Sequence, residues 1–248
     1  MKYICTSLLI ATLVGTGVGH AEDTLSIGHP TLRGAVLTTG TVTIESVKLL
    51  QDLRTPLNEA LQSITATVIA GLSVYHITNI HHSADGDSTV TNIHIRQDDL
   101  SLVSHTVRAR NDSASVLYAD GFLTGWVVLP DKPVQLIARQ IGHRVFPVDG
   151  PAPWLLSALP LSEGFKATIA RYSMWKDAET HETVRVIGSE MLERNGNRTD
   201  CWKIDCGPFA IPGYRAYRWV EKESGIILQG ALLGKKDEPE YWSFSTIR

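Results

Sequence analysis

Four histidines, His76, His81, His82 and His94, lie close together in the first half of the chain. Imidazole is the commonest protein ligand for zinc or copper, so the chemistry to test first is a metal site, with a metal-dependent hydrolase as its extension. A hairpin closing near Asp85-Gly86 sets His81 opposite about Val90 and His94 opposite about Ile77. His81 and His94 then share a face but sit roughly 13 Å apart along it, too far for one ion, and His82 points to the other face. The His81, His82 and His94 region therefore stands as an alternative, and no metal ligand is assigned. Asp85-x-Asp87 opens like a calcium loop, but Arg96 occupies the twelfth position, where a bidentate glutamate is required. His181-Glu182 begins like a zinc-protease helix, yet Arg185 stands where the second histidine is needed. The sequence has no Gly-x-Ser-x-Gly elbow, and no histidine is demonstrably paired with Cys201 or Cys206. No catalytic residue and no cofactor is assigned.

Aromatic side chains supply the other chemistry, that of holding something apolar. Trp126, Trp154, Trp175, Tyr217, Trp219 and Trp242 could line a curved sheet and cradle an acyl chain. The competing reading makes them core residues, since large aromatics favour strands and bury the most area per residue.

Alternation with period two runs from Gly40 onward and turn signals recur along it, which is the pattern of a meandering antiparallel sheet. Ala70-Gly71, Ala84-Asp85-Gly86-Asp87, Asp120-Gly121, Asn195-Gly196 and Glu223-Ser224-Gly225 are the turns. Two stretches break the rhythm. Leu49, Leu50, Leu53, Leu57 and Leu61 recur at helical spacing, with Thr55 as a cap and Pro56 in the first turn, which predicts a short helix from Pro56. Ala152 to Leu161, where Trp154, Leu155, Leu156, Ala158 and Leu159 stand between Pro151, Pro153 and Pro160, predicts a short buried helical turn linking two halves of the sheet. Cys201 and Cys206, five residues apart in one strand, face opposite sides, so a disulfide needs a turn between them. The expected fold is mainly β: a large curved antiparallel sheet, a half-barrel or open barrel of about a dozen strands, with one or two short helices.

Lys2, the apolar run Ser7 to Val18 and the small residues of Gly19-His20-Ala21 read as a secretory signal over residues 1–21. Residues 22–248 then form a single β-rich domain, its two sheet halves joined near 150–162, and its location is periplasmic or secreted. The chain carries a formal charge of −3, and losing Lys2 makes it more acidic, which offers no field for nucleic acid. After the leader no run reaches the roughly 18 to 20 apolar residues of a transmembrane helix.

Four stretches in order carry a resemblance: Pro153-Trp154-Leu155-Leu156-Ser157-Ala158-Leu159-Pro160-Leu161-Ser162-Glu163-Gly164-Phe165, Val184 to Glu190, Cys201-Trp202-Lys203-Ile204, and Arg218 to Leu228. Together they resemble a bacterial envelope family classed as a domain of unknown function. That resemblance implies a periplasmic curved sheet broadly similar to the half-barrels of the lipoprotein carriers LolA and LolB, whose concave faces hold acyl chains. It implies no catalytic residue. The expected function is thus an exported, non-enzymatic protein holding an apolar ligand, a lipid or lipoprotein acyl chain, or an envelope partner on the concave face. A metal-binding role and a structural assembly module are the alternatives.

Overall fold

Two tight two-residue turns stand out in the first half, at Ala70-Gly71 and Asp120-Gly121. The computed structural model describes residues 23–25, 32, 37–50, 53–141, 145–148, 153–194, 196–208, 213–234 and 239–247, so residues 1–21, expected as a leader, lie outside the described residues. At Ala70-Gly71 and Asp120-Gly121 both residues have positive φ, between 50° and 83°, the mirror-image turn whose twist matches that of the strands it joins.

The strands before the Pro-rich bridge are β1 (Asp23–Leu25), β2 (Gly40–Leu50), β3 (Leu53–Ile69), β4 (Leu72–Ser83), β5 (Ser88–Arg96), β6 (Leu102–Arg108), β7 (Ser113–Ala119), β8 (Phe122–Val128), β9 (Gln135–Gln140) and β10 (Phe146–Val148). After α1 (Pro153–Ser157) come β11 (Lys166–Ser173), β12 (Ala178–Arg194), β13 (Asn197–Pro208), β14 (Arg215–Glu221), β15 (Ile227–Leu233) and β16 (Pro239–Ile247). Among the described residues all sixteen join one sheet, ordered β1-β11-β12-β13-β14-β15-β16-β2-β3-β4-β5-β6-β7-β8-β9, with β10 on β11 beyond β1. Pairing is antiparallel except where β1 and β10 meet β11. The seam between the two meanders is β16 on β2, from Tyr241↔Lys48 to Ile247↔Val42.

The helix expected from Pro56 is not there: that segment belongs to β3, paired with β2 on one side and β4 on the other. The cause is arithmetic. Leucines four apart fit one helical turn, but four is also an even number, so the spacing of Leu53, Leu57 and Leu61 within β3 fits the two-residue period of a strand as well. Pro56 is tolerated because the register slips beside it, between Ser46 and Val47, leaving a bulge where its missing N–H does no harm.

β3 and β12 each run 17 residues, roughly 55 Å of strand, and a sheet with such strands must coil. It coils around α1. Trp154, Leu155 and Leu156 are consecutive and point in different directions, yet each is only 2% exposed, so the short helix is enclosed on all sides. One apolar cluster joins it to Ile77, Ile95, Val116 and Leu123 of the first meander and to Ile169, Val186, Ile204 and Val220 of the second. The structure is mainly β, open, with this one short helix among the described residues.

Candidate functional site

Alternation along β2 and β3 sends Val42, Ile44 and Ser46, and Asn58, Ala60, Gln62 and Ile64, to one side of the sheet, where they meet the helix residues Trp154 and Ser157. Between them is a cavity of about 290 Å³, near the lower end of the roughly 300–1,000 Å³ usual for small-molecule sites. Its remaining wall comes from the segment Leu37 to Thr41, His81 of β4, Arg218 of β14, and Ile226 with Ile227. Apolar surface predominates, with polar groups from Ser46, Asn58, Gln62, His81 and Arg218 set into it. Gln62 is held in place by donating from Nε2 to Asn79 Oδ1 at 2.8 Å.

The turn at Glu223-Ser224-Gly225 fixes one end. Gly225 has φ +70°, and a Cβ there would stand 3.1 Å from the Ser157 carbonyl oxygen, so the turn lies directly against the end of α1. The Gly225 and Ile226 amides are held by Glu221 O at 2.9 Å and Ser224 Oγ at 3.1 Å. These bonds seat Ile226 and Ile227 at the mouth.

Of the aromatic set, Trp154 lines this cavity. Tyr217 and Trp219 lie on the other face of β14, in a second cluster with Cys201, Leu192, Leu228 and Ala231. The Trp219 indole donates to Glu190 Oε2 at 3.0 Å and Lys203 Nζ stands 5.0 Å above its ring. Trp175 packs half-buried against the main cluster. Trp126 is half-buried on β8 between Ser115 and Leu136. Trp242 stands opposite Val47 in β16, and its side chain lies outside the described residues.

The histidine hairpin closes one residue away from the expected register. His94 pairs with His76, and His81 with Thr89, because the loop is Ala84-Asp85-Gly86 with Ser83 N donating to Asp87 O. A one-residue slip moves every side chain to the other face, so His81 and His94 point to opposite sides. The His76 and His94 rings stack, centroids 4.5 Å apart. His76 Nε2 is 3.1 Å from Asn92 Oδ1, and His94 Nδ1 is 2.8 Å from Ser104 Oγ, so both are engaged in a polar cross-strand ladder. Among the described residues no three His, Cys, Asp or Glu side chains come together as metal ligands. Asp85 and Asp87 serve their own turn: Asp85 bonds Ser83 Oγ, and Asp87 accepts from Arg110 at 3.2 Å.

Cys201 and Cys206 are both buried and both free. They lie on opposite faces of β13, one in each apolar cluster, and burial pushes both thiols up to about 11. Sequence reasoning passed over Arg218 as a member of the site. The available signal was its place between Ala216 and Val220, two inward positions of β14, which puts a cation where apolar residues belong.

No family model matches the chain, and no curated protein matches it. Among solved structures it is similar to a β-barrel-like protein of the domain of unknown function DUF1849 from Brucella abortus. That likeness has 10% identity and a TM-score of 0.50, over 86% of this chain and 100% of that chain. A DUF1329 family protein from Desulfovibrio piger aligns at 15% identity over 84% of this chain and 83% of that one, with a TM-score of 0.26, too low to carry an argument. The first likeness shows the fold alone, an open barrel-like arrangement of strands.

Proposed function

We propose that this chain is an exported, non-enzymatic carrier or binding protein that holds an apolar ligand, an acyl chain of a lipid or lipoprotein, in the cavity between β2, β3 and α1. The observation that carries the reading is the cavity itself: a predominantly apolar space where β2 and β3 face the buried helix α1. Ile44, Ile64, Trp154 and Ile227 give the space an apolar part suited to hydrocarbon, beside the polar groups already named. The leader-like residues 1–21 support a periplasmic or secreted location.

The neutral probe N-phenyl-1-naphthylamine tests this. Its fluorescence should rise on binding to protein lacking residues 1–21, and Ile44→Trp, which fills the cavity, should abolish the rise while the far-ultraviolet spectrum stays that of a β protein. Native mass spectrometry of material purified gently from a bacterial periplasm should show a lipid-sized adduct. A bare mass together with equal probe binding by Ile44→Trp would end the reading.

A second reading, an envelope partner, is favoured by the end of the sheet that is open among the described residues. β9 is its last strand, and Leu136 at 77% and Phe122 at 51% exposure stand on and beside it. Unpaired edges of this kind recruit strands from other chains.

A further inference from the structure

Among the described residues three arginines are not exposed, Arg96, Arg171 and Arg218. Arg96 pairs with Asp98 at 2.9 Å, and Arg171 pairs with Glu182. Arg218 differs. Its Nη1 donates to the Tyr217 carbonyl at 2.8 Å, and among the described residues no aspartate or glutamate lines the cavity it faces. Arg218 is half-buried; a guanidinium partly withdrawn from water with no carboxylate beside it among the described residues is costly to hold, and burial pushes it down from its ordinary value.

Strand register sets Arg218 in one row with two residues of the cavity wall. Arg218 pairs with Gly230, Gly230 with Ser243, Ser243 with Ser46, and Ser46 with Asn58. Gly230, next to Arg218 in this row, has no side chain, and Ser46 and Asn58 at the far end of the row line the cavity. Burial, with repulsion from His82, lowers His81 from the usual histidine value, so at neutral pH it adds no second charge.

We propose that the cavity selects an amphiphile with an anionic head, a carboxylate or phosphate on an acyl chain, with Arg218 binding the head and Ile44, Ile64, Trp154 and Ile227 holding the chain. This rests on the apolar-ligand reading above and names the chemistry of its polar end. The planar guanidinium fork matches the paired oxygens of either anion, and an apolar surround strengthens such charge-assisted bonds.

Displacement of N-phenyl-1-naphthylamine by dodecanoate, monododecyl phosphate and methyl dodecanoate separates the possibilities. The wild-type protein should bind at least one of the two anions about 10- to 100-fold more tightly than the neutral ester, and the better anion identifies the head. Arg218→Met should bring anion and ester within about twofold of each other with the ester affinity kept, and Arg218→Lys should fall between. Equal binding of anions and ester by the wild type overturns the proposal without any variant and leaves the apolar site standing. A preference that survives in Arg218→Met also overturns it. Failure of the probe and all three ligands to bind removes both readings.

Discussion

His105 shows how one residue carries the pH response of the fold. It lies on β6 between Ile93 and Val116, 2% exposed, with Nε2 unpartnered among the described residues. Burial pushes its imidazole down to about 4 from 6.5. The folded value lies below the unfolded one, so protonation favours the unfolded chain: the stability is full above pH 6.5 and is lost as pH falls toward 4. Between pH 7 and 5 this amounts to about 2 kcal/mol, and His81 and His94, both lowered chiefly by burial, act in the same direction. Urea midpoints at the two pH values should therefore differ markedly for the wild type and much less for His105→Leu; equal losses would show that the imidazole is not the group responsible. The histidines were visible in the sequence as a group, but their roles were not. One residue of hairpin register decided that His76 stacks on His94, and one loop residue sets that register.

Pairs of strands impose the next constraint. Gly125 of β8 faces β7 so closely that a Cβ would lie 2.0 Å from the Ser115 carbonyl oxygen and 2.9 Å from Val116 Cα. Both are backbone atoms and cannot swing aside. Gly125→Ala should then cost about 2–3 kcal/mol, as overpacking does, read as a lower thermal midpoint with faster amide exchange in β7 and β8 than in β12 and β13. A variant as stable as the wild type would mean the strands separate freely. At this scale the hairpins were legible, because Ala70-Gly71 and Asp120-Gly121 carry the turn chemistry locally. The failure at Pro56 was equally local: leucines four apart satisfy both periods, and only pairing partners on each side, β2 and β4, chose the strand.

The whole molecule depends on how the sheet's ends meet. Arg139 on terminal strand β9 donates Nη2 to Asp177 Oδ2 at 2.6 Å, across to the turn between β11 and β12, and the Tyr172 hydroxyl donates to the same carboxylate. The Arg139 bond holds the Asp177 carboxyl below its usual range, against burial, and Tyr172 adds to it. No strand pairing closes this gap among the described residues, so the side chains act as a latch on an open barrel. Arg139→Ala should speed amide exchange in β9 while the thermal midpoint moves little, since the core around α1 is untouched; unchanged exchange would show the gap is held otherwise. The sequence alone determined a β-rich meander, its hairpin turns, the buried helical turn at Trp154 and the opposite faces of Cys201 and Cys206, because each follows from residues adjacent in the chain. Only the tertiary structure decided that β16 pairs with β2, that Arg218 shares a cavity with Ile44 and Trp154, and that Trp219 packs on the other face. Those contacts join segments far apart in the chain, and side-chain alternation names two faces of a strand without saying which of them the coiled sheet encloses.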